Sequence, residues 1–470
     1  MSASATILTT DEIGGLAEGF SGGLLRPGDA GYDTQRAIWN RMVDRRPVLI
    51  ARCATAEDAR RALLFARQRG LPISVRGGGH NVSGSALAEG GVVLDHTLRR
   101  GVTVDPQTDL VEMEPGVTLA ELDQATAVHG LAVPVGINST TGAAGLALGG
   151  GIGWLMRRDG LACDHLVAAD LLTADGEILT VNEDDHPDLL WGLRGGGGNF
   201  GAVTRFVFRA VKLTPELLAG QVLFPFEEAA SVLRRYRDWA AGLPDSVTTI
   251  VALRTVLAMP AFPASLHGRR VVVVAVCHAG DAAEGERHLA PVRGFGTVLA
   301  DTIARKPFTV HQQSFDASVP PGLGYYFKSH FMGGLSDEAI DVLVEHNGHA
   351  LQPWSFTIIF QLGGAVSRVD RDATAFVERD GGFAININGV AEDPTNDAEV
   401  TAWARACFDA LTPHSTGGVY VNFLGNEGDE RVRAAYGHAY QRLEALKARY
   451  DPDNVFRINQ NIRPAERSAG

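Results

Sequence analysis

The run Arg76-Gly77-Gly78-Gly79-His80-Asn81-Val82-Ser83-Gly84 sets one imidazole and one guanidinium on a backbone almost bare of side chains. Successive residues without Cβ let N–H groups approach a ligand closely, and N–H groups in a turn form a concavity suited to phosphate. Arg76 adds a charge of the matching sign. Alone, such a run also reads as a tight turn carrying a polar histidine. Two more runs tip the balance. One extends from Gly136 to Gly153 and includes Thr140, Thr141, Gly142, Gly145, Gly150 and Gly151; the other is Gly195-Gly196-Gly197-Gly198-Asn199-Phe200-Gly201. Three glycine loops in one half of a chain are hard to explain as turns.

The elements that must position these loops are legible nearby. Thr55 to Gln68 sets Ala59, Ala62, Leu63 and Ala66 at helical spacing, with Thr55 as N-cap and Gly70 as stop. That helix feeds the alternating strand around Ile73 and Val75, which delivers the first loop. A short helix is expected around Thr10 to Glu18. Val92 to Asp95 reads as a strand, Val102 to Val104 and Leu110 to Met113 as a hairpin, and Thr118 to Glu121 as a capping box opening a helix.

The third run contains Gly196-x-Gly198-x-x-Gly201, formally a dinucleotide fingerprint. A Rossmann loop must open a helix, whereas Ala202 to Phe208 alternates like a strand, and no acid stands about 20 residues on to hold a ribose. These glycines are expected to let backbone crowd against a cofactor instead. Beyond residue 211 helices such as Phe226 to Ala241 alternate with β-rich runs: Val271 to Cys277, Phe356 to Phe360, Phe383 to Asn388 and Val419 to Phe423. They read as an antiparallel sheet backed by helices.

These segments, in this order, resemble the flavoprotein oxidoreductases of the vanillyl-alcohol oxidase (PCMH) type, in their berberine-bridge-enzyme-like branch, from about residue 35 to the C-terminus. The resemblance implies an α+β, two-domain PCMH-type FAD-binding fold with a discontinuous flavin domain: residues 1–210 bind FAD, 211–425 form an antiparallel-sheet substrate domain, and 426–470 return to the flavin domain. It implies that FAD is bound covalently, the flavin 8α carbon being joined to His80. Many relatives have a second link through a cysteine where this chain has Asn138, so one link is expected. It also implies cofactor contacts from Arg76, Gly77, Gly78, Gly79, Asn81, Val82 and Ser83. From the second run come Gly136, Thr140, Thr141, Gly142, Gly145, Gly150, Gly151 and Gly153; Val203, Asn459 and Asn461 complete the set. Thr141 stands where the family often gates dioxygen, and Leu146 where bicovalent relatives often have a histidine. The departures at Asn138 and Leu146 point to the monocovalent bacterial branch, which includes amine oxidases acting on hydroxynicotine.

Several relatives carry Tyr-x-Asn-Tyr, whose last tyrosine is the catalytic base. Here the segment is Tyr420-Val421-Asn422-Phe423, and Phe423 accepts no proton. Tyr420, Asn388 and Tyr326 are the candidates to fill the gap, with Tyr325 and Asn386 beside them; each also has a structural reading. An alcohol needs its hydroxyl deprotonated as hydride leaves, whereas a neutral amine does not. The expected activity is oxidation of a small aromatic or apolar amine or alcohol, with dioxygen reduced to peroxide. A dehydrogenase using another acceptor, and a flavin-retaining binding protein without turnover, stand as alternatives.

The 470 residues, 45% of them hydrophobic, suffice for a large core and more than one domain. A formal net charge of −13 argues against nucleic-acid or anionic-membrane partners, leaving a small-molecule substrate. Met1 to Leu8 lacks a secretory pattern, and no apolar run approaches the ~18 residues of a membrane span. Cys53, Cys163, Cys277 and Cys407 are scattered as buried thiols rather than as a disulfide framework, which points to the cytoplasm. Asp95-His96 and Asp164-His165 lack metal-ligand spacing, so no metal is expected. No sequence signal sets an oligomeric state.

Overall fold

A computed structural model of the chain describes residues 8–260 and 262–466. The reading of Met1 to Leu8 therefore lies, Leu8 apart, outside the described residues. The protein is α+β, as expected. Helix Ala56–Gln68 begins at a capping box in which the Asp58 N–H donates to Thr55 Oγ1 (3.0 Å) and the Thr55 N–H to Asp58 Oδ2 (3.1 Å). Its apolar stripe covers a four-stranded sheet ordered Gly23–Leu25, Leu49–Arg52, Val92–Asp95, Ile73–Arg76. The last two strands run parallel with Val75 opposite Leu94, so the first glycine run leaves the sheet at its carboxyl edge, where α/β proteins usually bind ligands.

A second, five-stranded sheet is antiparallel: Val102–Asp105, Leu110–Met113, Ala202–Arg209, Leu166–Leu172, Ile178–Val181. The third glycine run thus enters a strand, as its alternation requires. Helix Leu119–Ala127 carries Asp123, wholly buried, with neither carboxylate oxygen in a well-formed hydrogen bond. Burial raises its pKa well above the usual carboxylate range, and only the Gln312 amide works against this. A carboxyl whose folded pKa is raised contributes stability below its unfolded pKa and loses it as pH rises through the folded value. Asp123→Asn is therefore expected to gain ~1–2 kcal/mol at pH 8 and to flatten the pH dependence, checked by urea melts at pH 5 and 8.

The third sheet has the order Ala300–Asp301, Leu217–Pro225, Arg270–His278, Val247–Thr255, Phe356–Gln361, Phe383–Ala391, Gly324–Met332, all antiparallel. Ala304–Lys306 also pairs with the Leu217–Pro225 strand. Helices Ala229–Ala240, Asp337–Gly348 and Asp397–Leu411 pack on one face through Leu233, Ile340 and Ala404. The opposite face looks toward the glycine runs. The four cysteines are buried and unbridged.

One expected strand is absent. Residues 419–423 do not join the sheet; Val421–Phe423 is a single 3-10 turn, with the Phe423 N–H donating to the Tyr420 carbonyl at 2.9 Å. Its alternation records burial on two sides rather than a ladder. Val419 and Val421 enter the core around the glycine runs, and Tyr420 enters the core beneath the large sheet.

Candidate functional site

The first two glycine runs touch each other through bare backbone. A Cβ on Gly78 would stand 2.5 Å from the Gly142 nitrogen, and one on Gly142 2.5 Å from the Gly78 nitrogen; Gly79 has φ +70°. Beyond that contact His80 is enclosed, its Nε2 without a hydrogen-bond partner. Removal from water lowers the imidazole pKa to about 4, so the ring is neutral at pH 7. Trp39 stacks on it (centroids 4.2 Å apart, 19° between planes), and Tyr325 stacks on the far side of Trp39 at 3.6 Å. Asn81 Oδ1 fixes the loop by accepting from the Ser83 N–H and hydroxyl.

A cavity of about 370 Å³ runs between these loops and the open face of the large sheet. Of the residues expected at the cofactor, its wall includes Gly77, Gly78, Gly79, His80, Asn81, Val82, Gly136, Thr141, Gly142, Gly145, Val203 and Asn459. The others stand behind it. Arg76 turns its guanidinium to the Gln35 and Ala37 carbonyls, so it anchors the segment that carries Trp39 instead of facing a phosphate. The Ser83 hydroxyl serves the Asn81 turn, and the Thr140 hydroxyl donates to Asn138 Oδ1 at 2.7 Å on the exposed side. Gly150, Gly151 and Gly153 let protein approach protein. A Cβ on them would strike the Phe376 ring, Ala162 Cβ and the Val135 carbonyl, respectively. Asn461 is off the wall, its Oδ1 buried without a partner.

The third run and the chain's tail are locked together at the far end. Asn199 Nδ2 donates to the Gly196 and Gln460 carbonyls, and its Oδ1 accepts from the Ile462 N–H. Lys447, fully buried in helix Tyr440–Tyr450, donates to the Asn199 carbonyl (2.6 Å), Asp451 Oδ2 (2.7 Å) and the Phe456 carbonyl (2.9 Å). Asn459 Nδ2 in turn donates to the Gly198 carbonyl, leaving Oδ1 buried and unpartnered.

On the sheet side the wall is aromatic: Phe327, Phe356, Phe360 and, from the 3-10 turn, Phe423. Asn386 and Asn388 stand among them, Asn388 Nδ2 donating to the Asn386 carbonyl at 2.9 Å. Tyr420 also borders the cavity, but its hydroxyl accepts from the Gly151 N–H (2.7 Å) and from Asn422 Nδ2 (2.8 Å), and burial pushes its pKa up to about 12. It stays protonated and braces the Gly149–Ile152 turn, a poor position for a base. Tyr326 is not at the site. Alternation along Gly324–Met332 turns it to the helix-covered face, where Arg405 Nε donates to its hydroxyl at 2.9 Å. Tyr325, on the cavity side of the sheet, spends its hydroxyl on the Pro320 carbonyl.

Three wall residues carry no motif that sequence reasoning could use. Trp39 lies in an irregular segment. His96 borders the cavity with Ser74 and Pro115, both ring nitrogens unpartnered and its pKa lowered to about 3 by burial; its Asp-His pair lacks metal-ligand spacing and points to no other role. Arg254 reaches the wall from strand Val247–Thr255. No aspartate or glutamate borders the cavity among the described residues.

A family model described as FAD binding domain matches residues 47–182, and one described as berberine and berberine like matches residues 419–463. The chain is 31% identical over 468 residues to (R)-6-hydroxynicotine oxidase of Paenarthrobacter nicotinovorans, covering 94% of this chain and 97% of that one. It is 30% identical to the uncharacterized FAD-linked oxidoreductase YgaK of Bacillus subtilis, with 95% and 98% covered. Among solved structures, 6-hydroxy-D-nicotine oxidase from Arthrobacter nicotinovorans superposes with a TM-score of 0.85 at 28% identity, over 98% of this chain and 99% of that one.

Proposed function

Since the chain belongs to the berberine-like FAD-linked oxidoreductases, we propose that it is an oxidase of small aromatic or apolar amines or alcohols, with FAD joined to His80 by a single covalent bond. The chemistry of the cavity's lining supports FAD. Only glycine is tolerated where its loops meet, and the buried, unpartnered His80 Nε2, His96 ring nitrogens and Asn459 Oδ1 are polar groups that an inserted flavin nucleotide would satisfy. The first two glycine runs and Val203 would hold the cofactor along its length, with Asn459 reaching it from the tail. When bound, FAD supplies the acceptor for two electrons and their transfer to dioxygen, giving hydrogen peroxide.

The chain's own contribution is placement. The phenylalanine wall removes water from the substrate and holds an apolar body flat, and Asn386 and Asn388 offer amide groups that orient it. What carries the reading is the junction of this wall with the glycine loops at His80. The neutral imidazole has the lone pair that a covalent link requires. Substrate choice leans to an amine. Phe423 has no proton acceptor, Tyr420 holds its proton, and no carboxylate borders the cavity, so the sheet side of the wall offers no base for an alcohol. An amine entering as its free base needs no such group. Four buried thiols without a bridge support the cytoplasm as its compartment.

Acid precipitation tests the link. Yellow colour is expected in the wild-type pellet, whereas His80→Ala should release all of its flavin to the supernatant. Peroxide formation from a panel of aromatic amines and alcohols tests the oxidase. Flavin reduced by substrate but not reoxidised by air would overturn it in favour of a dehydrogenase.

A further inference from the structure

Arg254 is a half-buried cation without a partner. Among the described residues it forms no ion pair, its only hydrogen bond is a long one from Nε to the Thr255 carbonyl (3.4 Å), and Nη2 is buried with no acceptor. Burial lowers its pKa, to about 10, so it is charged at neutral pH, and its ionisable neighbour Tyr325 keeps its proton on the Pro320 carbonyl and supplies no counter-charge. A guanidinium held this way is costly unless something answers it. The buried arginines find partners: Arg379 forms a two-pronged pair with Asp164, and Arg157 donates to three carbonyls.

Its position says what the partner would be. Arg254 belongs to the sheet wall opposite the glycine runs, so it faces the substrate's side of the cavity. Strand register puts Ala252 opposite Ile358, Phe356 opposite Asn388, and Asn388 opposite Phe327. The guanidinium carbon lies 5.4 Å from the Phe356 ring centroid, at the end of the row Phe356, Asn388, Phe327. It is the only formally charged side chain, Asp, Glu, Lys or Arg, on the cavity wall among the described residues. An aromatic floor, the Asn386 and Asn388 amides and one terminal guanidinium make a site for a ligand with an apolar body and an anionic end.

We infer that the substrate of this cavity carries a carboxylate, which Arg254 receives while its apolar portion lies on Phe356 and Phe327. This rests on the oxidase reading only in taking the sheet side of the cavity as the substrate's place. A planar carboxylate matches the guanidinium's paired donors. It also narrows the substrate class to amines or alcohols bearing a carboxylate, and disfavours substrates whose only charge is positive.

Benzoate, benzamide and benzylamine serve as probes, titrated into the flavin-loaded wild type, Arg254→Gln and Arg254→Lys, with the flavin absorption band and calorimetry as readouts. Benzoate is expected to bind wild type at least about tenfold more tightly than benzamide, with benzylamine the weakest. Arg254→Gln should abolish that preference, and Arg254→Lys should retain part of it, because the charge remains but the paired geometry does not. Equal binding of benzoate and benzamide by wild type would overturn the inference, as would benzoate binding undiminished in Arg254→Gln. The wild-type comparison decides the matter even if a variant fails to fold. A preference for benzoate in a protein that turns over no amine or alcohol would sink the oxidase reading and leave this one standing. Turnover of uncharged amines with no such preference would do the reverse.

Discussion

Replacing Lys447 by methionine is expected to lower folding stability by about 3–5 kcal/mol, the loss usual when one member of a buried ion pair is removed. All three ammonium hydrogens are engaged, with Asp451 and with the carbonyls of Asn199 and Phe456, and both charged side chains are fully buried. The methionine fills the space and leaves a buried carboxylate without its cation. Asp451 Oδ1 and Oδ2 still accept from the Val455 and Phe456 N–H groups, so the carboxylate is not abandoned altogether. Pairing Lys447→Met with Asp451→Asn, which removes the stranded charge and keeps an acceptor, should recover ~1–2 kcal/mol. Denaturant midpoints of the wild type, both single variants and the double variant check this. Equal midpoints for Lys447→Met and the wild type would mean that the ion pair does not hold the tail.

The second large effect is expected at Gly78. An alanine there sets its Cβ 2.5 Å from the Gly142 nitrogen and 2.6 Å from the Gly142 Cα, and neither backbone atom can swing aside as a side chain would. The loops must part by several tenths of an ångström. Overpacking of this kind costs ~1–3 kcal/mol, and here it falls on the shape that receives the cofactor. Gly78→Ala should therefore purify with about a tenth or less of the wild-type flavin, measured by absorbance per mole of chain, while its far-ultraviolet circular dichroism is unchanged. Gly15→Ala is the control. It lies in helix Thr10–Ala17 with nothing within 4 Å of the new methyl group, far from the cavity, and should hold flavin normally.

What could be seen in the sequence was whatever is decided locally. The Thr55 N-cap, the Thr118 capping box, the Asp105 to Asp109 hairpin turn and the strand after the third glycine run depend on residues a few positions apart, and all are present. The glycine runs are of the same kind. What stayed hidden depends on which face of an element meets which neighbour. Alternation shows that Tyr325 and Tyr326 point to opposite sides of a strand, but the helix layer decides which side is covered, and Tyr326 took the covered one. Arg76 follows a strand and precedes glycines, as a phosphate ligand would, yet the carbonyls of a segment some 40 residues earlier claim it. Arg254 in Val251-Ala252-Leu253-Arg254-Thr255 looks like the solvent end of a strand, and only the register with Phe356–Gln361 puts it on a cavity wall. Tyr420 misled because burial on both sides copies the period of a half-buried strand.

The clamp formed by Asn199 and Lys447 also sets an order of events during synthesis. Gly198 and Asn459 meet across 261 positions of chain, so the ribosome has released the third glycine run long before the wall's last contributor emerges. At ~5–20 residues per second, that interval is of the order of 10–50 s. Through it the half-built cleft exposes apolar surface with no flavin to cover it, and nascent chains in this window are open to chaperones and to proteolysis. On this topology the cavity's wall is complete only once the tail docks on Gly198 and Asn199.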